Sequence, residues 1–225
     1  METDLWIAVS NEGYTQDADK FSMDRILFYR NILETHISHF PEFLSSLTPL
    51  APPADIHPLV RDMYEGSQKA QTGPMSAVAG AFAEYICRDL INEKGFSEVI
   101  VENGGDIFMK LTAQATISVY AGESPLSGKI GLVVKPEQTP ISICCSSGTV
   151  GPSLSFGNAD ACVIAAGSGA QADAYATAFC NRIRNARMVR KVADMALEIS
   201  DIMSVVIIKD HKVAMGGQLE VKILK

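Results

Sequence analysis

Hydrophobic and polar positions divide the chain into a first part with helical spacing and a second part with short apolar runs. Apolar residues recur at roughly helical intervals between Ser22 and Phe40, where we expect Ser22 to cap the helix and Pro41 to end it. The proline-rich stretch Thr48–Pro58 favours an extended connector. Three further helices are predicted: one through Arg61, Met63 and Tyr64, one from Ala170 to Ala186 and one from Val189 to Ile199.

The segment that begins at Pro74 is apolar nearly all round, which predicts a buried helix with a glycine cap at Gly95. Its many small side chains would let other backbone approach closely. The β-rich runs that follow are separated by glycine, proline, asparagine and serine, which predicts strands joined by turns. These runs are Val99–Val101, Ile107–Leu111, Ala115–Tyr120, Lys129–Val134, Ile141–Cys145, Ala161–Ala166, Met203–Lys209 and Gln218–Leu224, with a turn near Asp210 and His211 between the last two.

Runs of strands mixed with a few helices favour an α+β layered fold, with helices packed on a mixed or antiparallel sheet. We expect one domain over residues 1–225, because a chain of this length with 47% hydrophobic residues can bury a stable core without disulfides. The nearest approach to a dinucleotide fingerprint, at Gly167–Ala172, is degenerate and lacks the strand-end acidic residue. A Rossmann site is therefore disfavoured.

Composition argues against nucleic acid and membranes as partners and indicates the state of the cysteines. The formal charge of -7 would repel a phosphate backbone, so we expect no nucleic-acid partner. The five cysteines lack paired Cys-x-x-Cys spacing, which favours reduced thiols. The first residues are acidic where a signal peptide would be basic, and no apolar run is long enough to span a bilayer, so we expect a cytoplasmic protein with no membrane partner.

The first candidate for chemistry is the polar turn Glu102-Asn103-Gly104-Gly105-Asp106 between two apolar strands. It has the composition of a simple hairpin turn. The two glycines would also let a ligand approach the backbone closely, with carboxylates beside it to accept hydrogen bonds or to act as a general base. Both interpretations remain open from the residues alone.

The second candidate is the pair Asp173 and Thr177, four residues apart on a predicted helix that follows Gly167-Ser168-Gly169. This spacing places a carboxylate and a hydroxyl on one helix face. Hard oxygen ligands of this kind suit Mg²⁺ or Ca²⁺ better than zinc. The alternative is that Asp173 only stabilises the N-terminus of a helix.

The third candidate is the stretch Cys145–Gly157, which is dense in hydroxyls and glycines. It would offer donors to phosphate oxygens, but it lacks the lysine of a P-loop. A solvated connection without function is the other interpretation. The ligand-contacting residues expected in this stretch are Ser146, Ser147, Gly148, Ser153 and Ser155.

Other chemistry-bearing residues give weaker signals. The four histidines are scattered and form no catalytic set with a serine or cysteine. Cys144 and Cys145 are adjacent on a predicted strand, so their side chains should point to opposite faces of the sheet. The basic run from Arg182 to Lys191 could attract an anion or could be a solvated helix face.

Four segments, in the same order, resemble the ApbE-like superfamily: Gly73–Gly80, Val101–Ile107, the Ser146-Ser147-Gly148 loop and Ala172–Thr177. More closely, the chain resembles a short branch of that superfamily that is recognised by VENGGD and by Ser-Ser-Gly-Thr-Val-Gly followed by Ser-Leu-Ser-Phe-Gly. The superfamily includes magnesium-dependent flavin transferases, which split FAD and attach FMN to a threonine of a target protein.

The resemblance implies a role for particular residues. Asp173 and Thr177 match the metal-binding side chains, and Val78 matches the residue whose backbone carbonyl completes that metal site. The segment Asn103–Asp106 matches the part that contacts the flavin nucleotide, and we expect Ser76 to contact the ligand as well. The chain departs from the superfamily in two places: the lysine of its Ala-Lys-Gly motif is replaced by Ala79, and no His-x-x-Asp-Pro segment follows Gly148.

The leading hypothesis is a metal-assisted transferase or hydrolase that binds Mg²⁺ and a phosphorylated small molecule such as FAD, FMN or another nucleotide. Glu102 or Asp106 would serve as the general base. The alternative is a non-catalytic ligand-binding or assembly subunit. The short branch implies a place in anaerobic sulfur assimilation and homocysteine formation, and the small helix residues suit packing in a homo-oligomer.

Overall fold

The computed structural model describes residues 4–10, 14, 16–150 and 156–225. The first half of the chain is mainly helical and the second half mainly β-structure, in accord with the sequence pattern. The α-helices are α1 (Gln16–His39), α2 (Glu42–Ser45), α3 (Pro58–Ala70), α4 (Val78–Lys94), α5 (Gly169–Cys180) and α6 (Val189–Leu197). The strands are β1 (Leu5–Val9), β2 (Val99–Asn103), β3 (Asp106–Lys110), β4 (Ala115–Ser118), β5 (Ile130–Val134), β6 (Ile141–Ser146), β7 (Ala161–Ala166), β8 (Ile202–Lys209), β9 (Lys212–Gly217) and β10 (Glu220–Ile223).

The strands form two sheets, and every pairing in them is antiparallel. The large sheet has the order β1-β2-β3-β6-β7-β8-β9, and the small sheet has the order β10-β5-β4. The predicted α+β layered fold is thus confirmed, with the strand runs divided between two sheets.

The large sheet lies between the helices and the small sheet. Side chains alternate along its strands, so that Cys162 and Ile164 of β7 join the helix-side core, whereas Ala161 and Val163 join the core shared with the small sheet. Because both faces are covered, the central strands are apolar at nearly every position. This accounts for the continuous apolar runs in the sequence.

Several predicted boundaries are wrong. Ser22 does not cap α1, which extends back to Gln16; its hydroxyl instead donates to the carbonyl of Ala18 one turn earlier. Helix α5 ends at Cys180 rather than Ala186, and α6 ends at Leu197. A short 3₁₀ turn, Pro74–Ala77, precedes α4, so the proline begins the turn and not the α-helix.

Two strands were not predicted at all, β1 and β9, which are the edge strands of the large sheet. Gly95 ends α4 in the left-handed conformation with φ of +73°, as the sequence predicts. Of the helices that the structure describes, none combines the length and the apolar character needed to cross a bilayer.

Candidate functional site

The double-glycine segment forms the tight turn between β2 and β3. Asn103 and Asp106 are paired across the two strands, and the glycines between them have φ of +64° and +101°. Positive φ at both central positions is typical of a two-residue hairpin turn, and glycine adopts it without steric strain. The hairpin interpretation is therefore correct, and the turn also places two polar side chains on the helix-facing side of the sheet.

Those two side chains have different surroundings. The Asn103 amide donates a hydrogen bond of 3.2 Å to the carbonyl of Ala79 at the start of α4, which ties the turn to that helix. Asp106 is buried, with 7% of its surface exposed, and accepts hydrogen bonds from the backbone N–H of Cys145 at 3.1 Å and from the Cys144 thiol. Asn103 thus supports the site structurally, whereas Asp106 faces into it.

Asp173 lies on α5, close enough to Asp106 for the two charges to interact, and is 8% exposed. Its carboxylate accepts hydrogen bonds from the backbone N–H groups of Ala79 and Gly80, the latter at 3.0 Å. The suggestion that Asp173 stabilises a helix N-terminus is thus correct in kind, but the helix is the neighbouring α4 rather than α5 itself.

Where helices α4 and α5 cross, an acidic side chain of each helix accepts a hydrogen bond from the first turn of the other. Glu84 of α4 accepts a hydrogen bond of 2.6 Å from the Gly169 N–H at the start of α5, which mirrors what Asp173 does for α4. A Cβ atom on Gly80 would lie 2.2 Å from the Gly169 carbonyl oxygen, and one on Gly169 would lie 2.1 Å from that of Gly80. Only glycine permits this approach, which fixes the position of Asp173 relative to α4.

The Asp106 and Asp173 carboxylates are electrostatically coupled. Burial raises the pKa of Asp106 well above its usual value, and the charge of Asp173 raises it further. Burial likewise raises the pKa of Asp173 to about 7, although the hydrogen bonds from α4 act in the opposite direction. Among the described residues, neither carboxylate forms an ion pair with a lysine, arginine or histidine.

Two cavities meet at this pair of carboxylates. The first, here called the sheet cavity, has a volume of about 540 Å³ and lies between the large and small sheets. The second, here called the helix cavity, has a volume of about 520 Å³ and lies beside the 3₁₀ turn and α5. Asp106, Asp173 and Thr177 line both cavities. The spacing of four residues thus brings the Thr177 hydroxyl to the same junction as the Asp173 carboxylate.

Most of the remaining predicted site residues line one or the other of the two cavities. Ser76 and Val78 line the helix cavity, where the Ser76 hydroxyl is 2.7 Å from that of Thr72. Five more predicted residues line the sheet cavity: Glu102, Gly104, Gly105, Ser146 and Ser147. Among the described lining residues of the two cavities, Asn103 and Gly148 do not appear.

Gly148 has a structural role in the stretch Cys145–Gly157, here called the serine-rich loop. A Cβ atom there would lie 1.9 Å from the Gly157 carbonyl oxygen, so the residue packs against the returning end of the loop. The Ser147 hydroxyl accepts hydrogen bonds from the backbone N–H groups of Thr149 and Val150, which orders this part of the loop. Ser153 and Ser155 lie outside the described residues.

Comparisons with known proteins agree with this architecture. The family model described as "AbpE bacteria" matches residues 1–218. The chain belongs to this family. It is 39% identical over 197 residues to a UPF0280 protein of Methanocella arvoryzae, covering 88% of this chain and 80% of that protein. It is 37% identical over 223 residues to a UPF0280 protein of Methanocaldococcus jannaschii, covering 97% of this chain and 88% of that protein.

Among solved structures, the apo flavinyl transferase ApbE of Pseudomonas stutzeri has a similar fold. The TM-score is 0.55 with 10% sequence identity, and the match covers 96% of this chain and 94% of that one. The likeness shows that the family member described here has an ApbE-like fold. The predicted resemblance to the ApbE-like superfamily and its short branch is confirmed by the family model and the UPF0280 relatives, and the solved structure confirms the fold.

Sequence reasoning missed several residues of the site in this family member. Glu84 lies in an apolar helix with no signal of its role, because its partner Gly169 is 85 residues away. Trp6 and Tyr120 line the sheet cavity and were not singled out from the sequence. Arg182, the first residue of the basic run considered as an anion site, lines the helix cavity. Trp6 is the only tryptophan in the chain, which was the one available signal. The described residues contain no group of three histidine, cysteine or acidic side chains arranged to hold a metal.

Proposed function

We propose that this chain binds a divalent cation between Asp106 and Asp173, and with it a phosphorylated ligand in the joined cavities. The observation that carries the proposal is a pair of buried, coupled carboxylates with raised pKa values and no basic ion-pair partner among the described residues. Burying a carboxylate without a compensating charge is costly, so such a pair is stabilised by shared protons or by a bound cation.

The donor set fits Mg²⁺. Magnesium prefers oxygen ligands and is commonly held by one or two carboxylates, with the other positions filled by water and substrate phosphates. The Thr177 hydroxyl and the Val78 backbone carbonyl are the further protein oxygens proposed for the site. The small number of acidic side chains suits a metal that the ligand helps to bind.

The ligand class proposed is a flavin nucleotide, FAD or FMN, and the reaction proposed is transfer or hydrolysis at a phosphoryl linkage. When bound, the cation would polarise a phosphoryl oxygen. Of the two carboxylates predicted as general bases, Glu102 is the better candidate, because Asp106 faces Asp173 and would hold the cation. Glu102 is on the opposite face of the large sheet, where it lines the sheet cavity.

The decisive experiment combines binding and turnover. Protein freed of metal with EDTA is incubated with FAD, with and without Mg²⁺ or Mn²⁺, and release of FMN and AMP is measured by chromatography. We expect metal-dependent product, lost in Asp173→Asn and reduced in Thr177→Val. The matched control is Asp194→Asn, because Asp194 is an exposed carboxylate on α6 whose ion-pair partner among the described residues is Arg190.

A second candidate is a non-catalytic binder, and one observation favours it. Ala79 lies in the wall of the helix cavity, where the superfamily pattern has a lysine, so that wall has no positive charge at this position. Tight flavin binding without product in the same experiment would favour this function. Absence of both metal-dependent binding and product would reject the proposed function altogether.

A further inference from the structure

The two cavities differ in chemistry, and we propose that this difference sets the direction in which a ligand lies. The aromatic ring would occupy the sheet cavity against Trp6 and Tyr120, and the anionic end would extend past the carboxylate pair towards Arg182 in the helix cavity. This inference rests on the proposed function and adds the residues that select the two ends of the ligand.

The sheet cavity has an apolar floor and exposed aromatic walls. Trp6 stands in one row across the large sheet with Glu102, Ile107 and Ile143, each paired with the next across neighbouring strands, so these side chains share a face. Trp6 is 58% exposed and Tyr120 is 68% exposed, although both line the cavity.

Neither Trp6 nor Tyr120 packs against another aromatic ring in the described part of the chain. Exposed rings above an apolar floor are suited to stack against a planar ligand ring. We therefore assign the ring-binding end of the ligand to this cavity.

The charges place the anionic end elsewhere. Glu102 and the two shared carboxylates line the sheet cavity, and its described lining contains no lysine or arginine. A phosphate that extended further into this cavity would be repelled by these acidic side chains. The described lining of the helix cavity contains one basic side chain, Arg182.

Helix α5 leads from the carboxylate pair to that arginine. Asp173, Thr177 and Asn181 follow one another at intervals of four residues and all line the helix cavity. From Asp173 to the end of α5 at Cys180 the helix rises about 10 Å. Arg182 follows two residues later, so it lies beyond the proposed cation position along the same wall.

The Arg182 guanidinium lies 5.3 Å from the centre of the Phe179 ring, which holds it against the end of α5. Arginine donates several hydrogen bonds in a planar arrangement that suits a phosphate. The described lining of the helix cavity also contains one exposed aromatic ring, Phe156, so the two cavities differ mainly in charge. The end with the two exposed aromatic walls and Glu102 is acidic and the end with Arg182 is basic, with the carboxylate pair between them.

The test uses two flavins that differ only by a phosphate, FMN and riboflavin, with Mg²⁺ present. Binding is followed by flavin fluorescence polarisation and, in the wild-type chain, by quenching of the single tryptophan, Trp6. We expect Arg182→Gln to weaken FMN binding by about tenfold or more and to leave riboflavin binding unchanged, because only FMN carries the charged phosphate to which the guanidinium would donate hydrogen bonds.

The Trp6→Ala variant should weaken binding of both flavins alike, by about tenfold, since both carry the ring that would stack on the Trp6 side chain. The control is Arg187→Gln, an exposed arginine near α6 that is not in the described lining of either cavity. It should change neither affinity. Thermal unfolding of each variant shows whether its fold is intact.

The outcomes separate this inference from the proposed function. If the wild-type chain binds FMN with Mg²⁺ but Arg182→Gln weakens both flavins equally or neither, the ligand does not lie in this direction, while the proposed function stands. The same holds if Trp6→Ala leaves both affinities unchanged. If the wild-type chain binds neither flavin, both proposals fail.

Discussion

The buried carboxylate of Asp160 and the buried pair Asp106 and Asp173 differ in how their negative charge is compensated. Asp160 accepts hydrogen bonds from the Thr149 hydroxyl, the backbone N–H of Asp210 and the ammonium group of Lys209, which lies 3.0 Å away. The Asp106–Asp173 pair has hydrogen bonds too, but no basic partner among the described residues. Lys209 balances the charge of Asp160, whereas the charges of Asp106 and Asp173 need bound protons or a cation to balance them.

The largest expected effect on the free energy of unfolding comes from removing the Asp160 carboxylate. Asp160→Ala should lower the free energy of unfolding by about 3 kcal/mol. The half-buried Lys209 would keep only the more exposed Asp210 as an ion-pair partner among the described residues, and the Thr149 hydroxyl and the Asp210 N–H would lose their acceptor. Urea unfolding measures the change. A loss below about 1 kcal/mol would show that the Asp160 contacts contribute little, and the contrast between the two acidic positions would disappear.

The next effect is the response to a cation. Mg²⁺ at a hundredfold excess over its Kd should raise the free energy of unfolding by about 2.7 kcal/mol in the wild-type chain. Asp106→Asn and Asp173→Asn should abolish this gain, and the surface variant Asp194→Asn should retain it. Thermal unfolding with and without EDTA measures the gain. An equal response in all four proteins would place the cation elsewhere.

A third prediction changes the surroundings of Asp173 without altering a carboxylate. Gly80→Ala should lower the free energy of unfolding by about 1–3 kcal/mol, since the added methyl group must push α4 away from the Gly169 carbonyl. The same shift should weaken cation binding by moving the N–H groups that hold Asp173. The control is Gly167→Ala, because a Cβ atom there would meet nothing within 4 Å. Equal effects of the two substitutions would contradict the proposed helix contact.

The smallest effect concerns pH in the absence of metal. The pKa of Asp173 is raised to about 7, against an ordinary carboxyl value of about 4, so the folded chain binds more protons than the unfolded chain between these values. The free energy of unfolding should therefore fall as the pH rises from about 4 to about 7.

Asp106→Asn should flatten this pH dependence, because it removes one of the two groups that take up protons. At neutral pH its stability should stay within about 1 kcal/mol of the wild type, since asparagine keeps a hydrogen-bond acceptor. Chemical unfolding in EDTA over this pH range provides the measurement. A stability that rises through this range would contradict the raised pKa values.

Much of this arrangement could be predicted from local patterns. The spacing of Asp173 and Thr177 places both at one junction because helix geometry depends on near neighbours alone. The glycines of the β2–β3 turn were recognisable because that turn requires positive φ. Cys144 and Cys145 face opposite cores, as the alternation along a strand predicts.

The features that were not predicted depend on distant partners. The edge strand β1 pairs with β2, whose residues lie 90 to 98 positions later in the chain. Glu84 and Gly169 meet only when two helices cross, and neither residue carries a local sign of the contact. The prediction that Ser22 caps α1 is wrong although serine is a suitable capping residue, because α1 begins six residues earlier, at Gln16.

The reciprocal hydrogen bonds between α4 and α5 have a consequence for biosynthesis. The N–H groups at the start of α4 acquire their acceptor only after Asp173 has been synthesised, more than ninety residues behind them on the ribosome. The site therefore cannot assemble progressively as the nascent chain emerges. It should form in a late step, once α5 has left the exit tunnel and can dock across its partner.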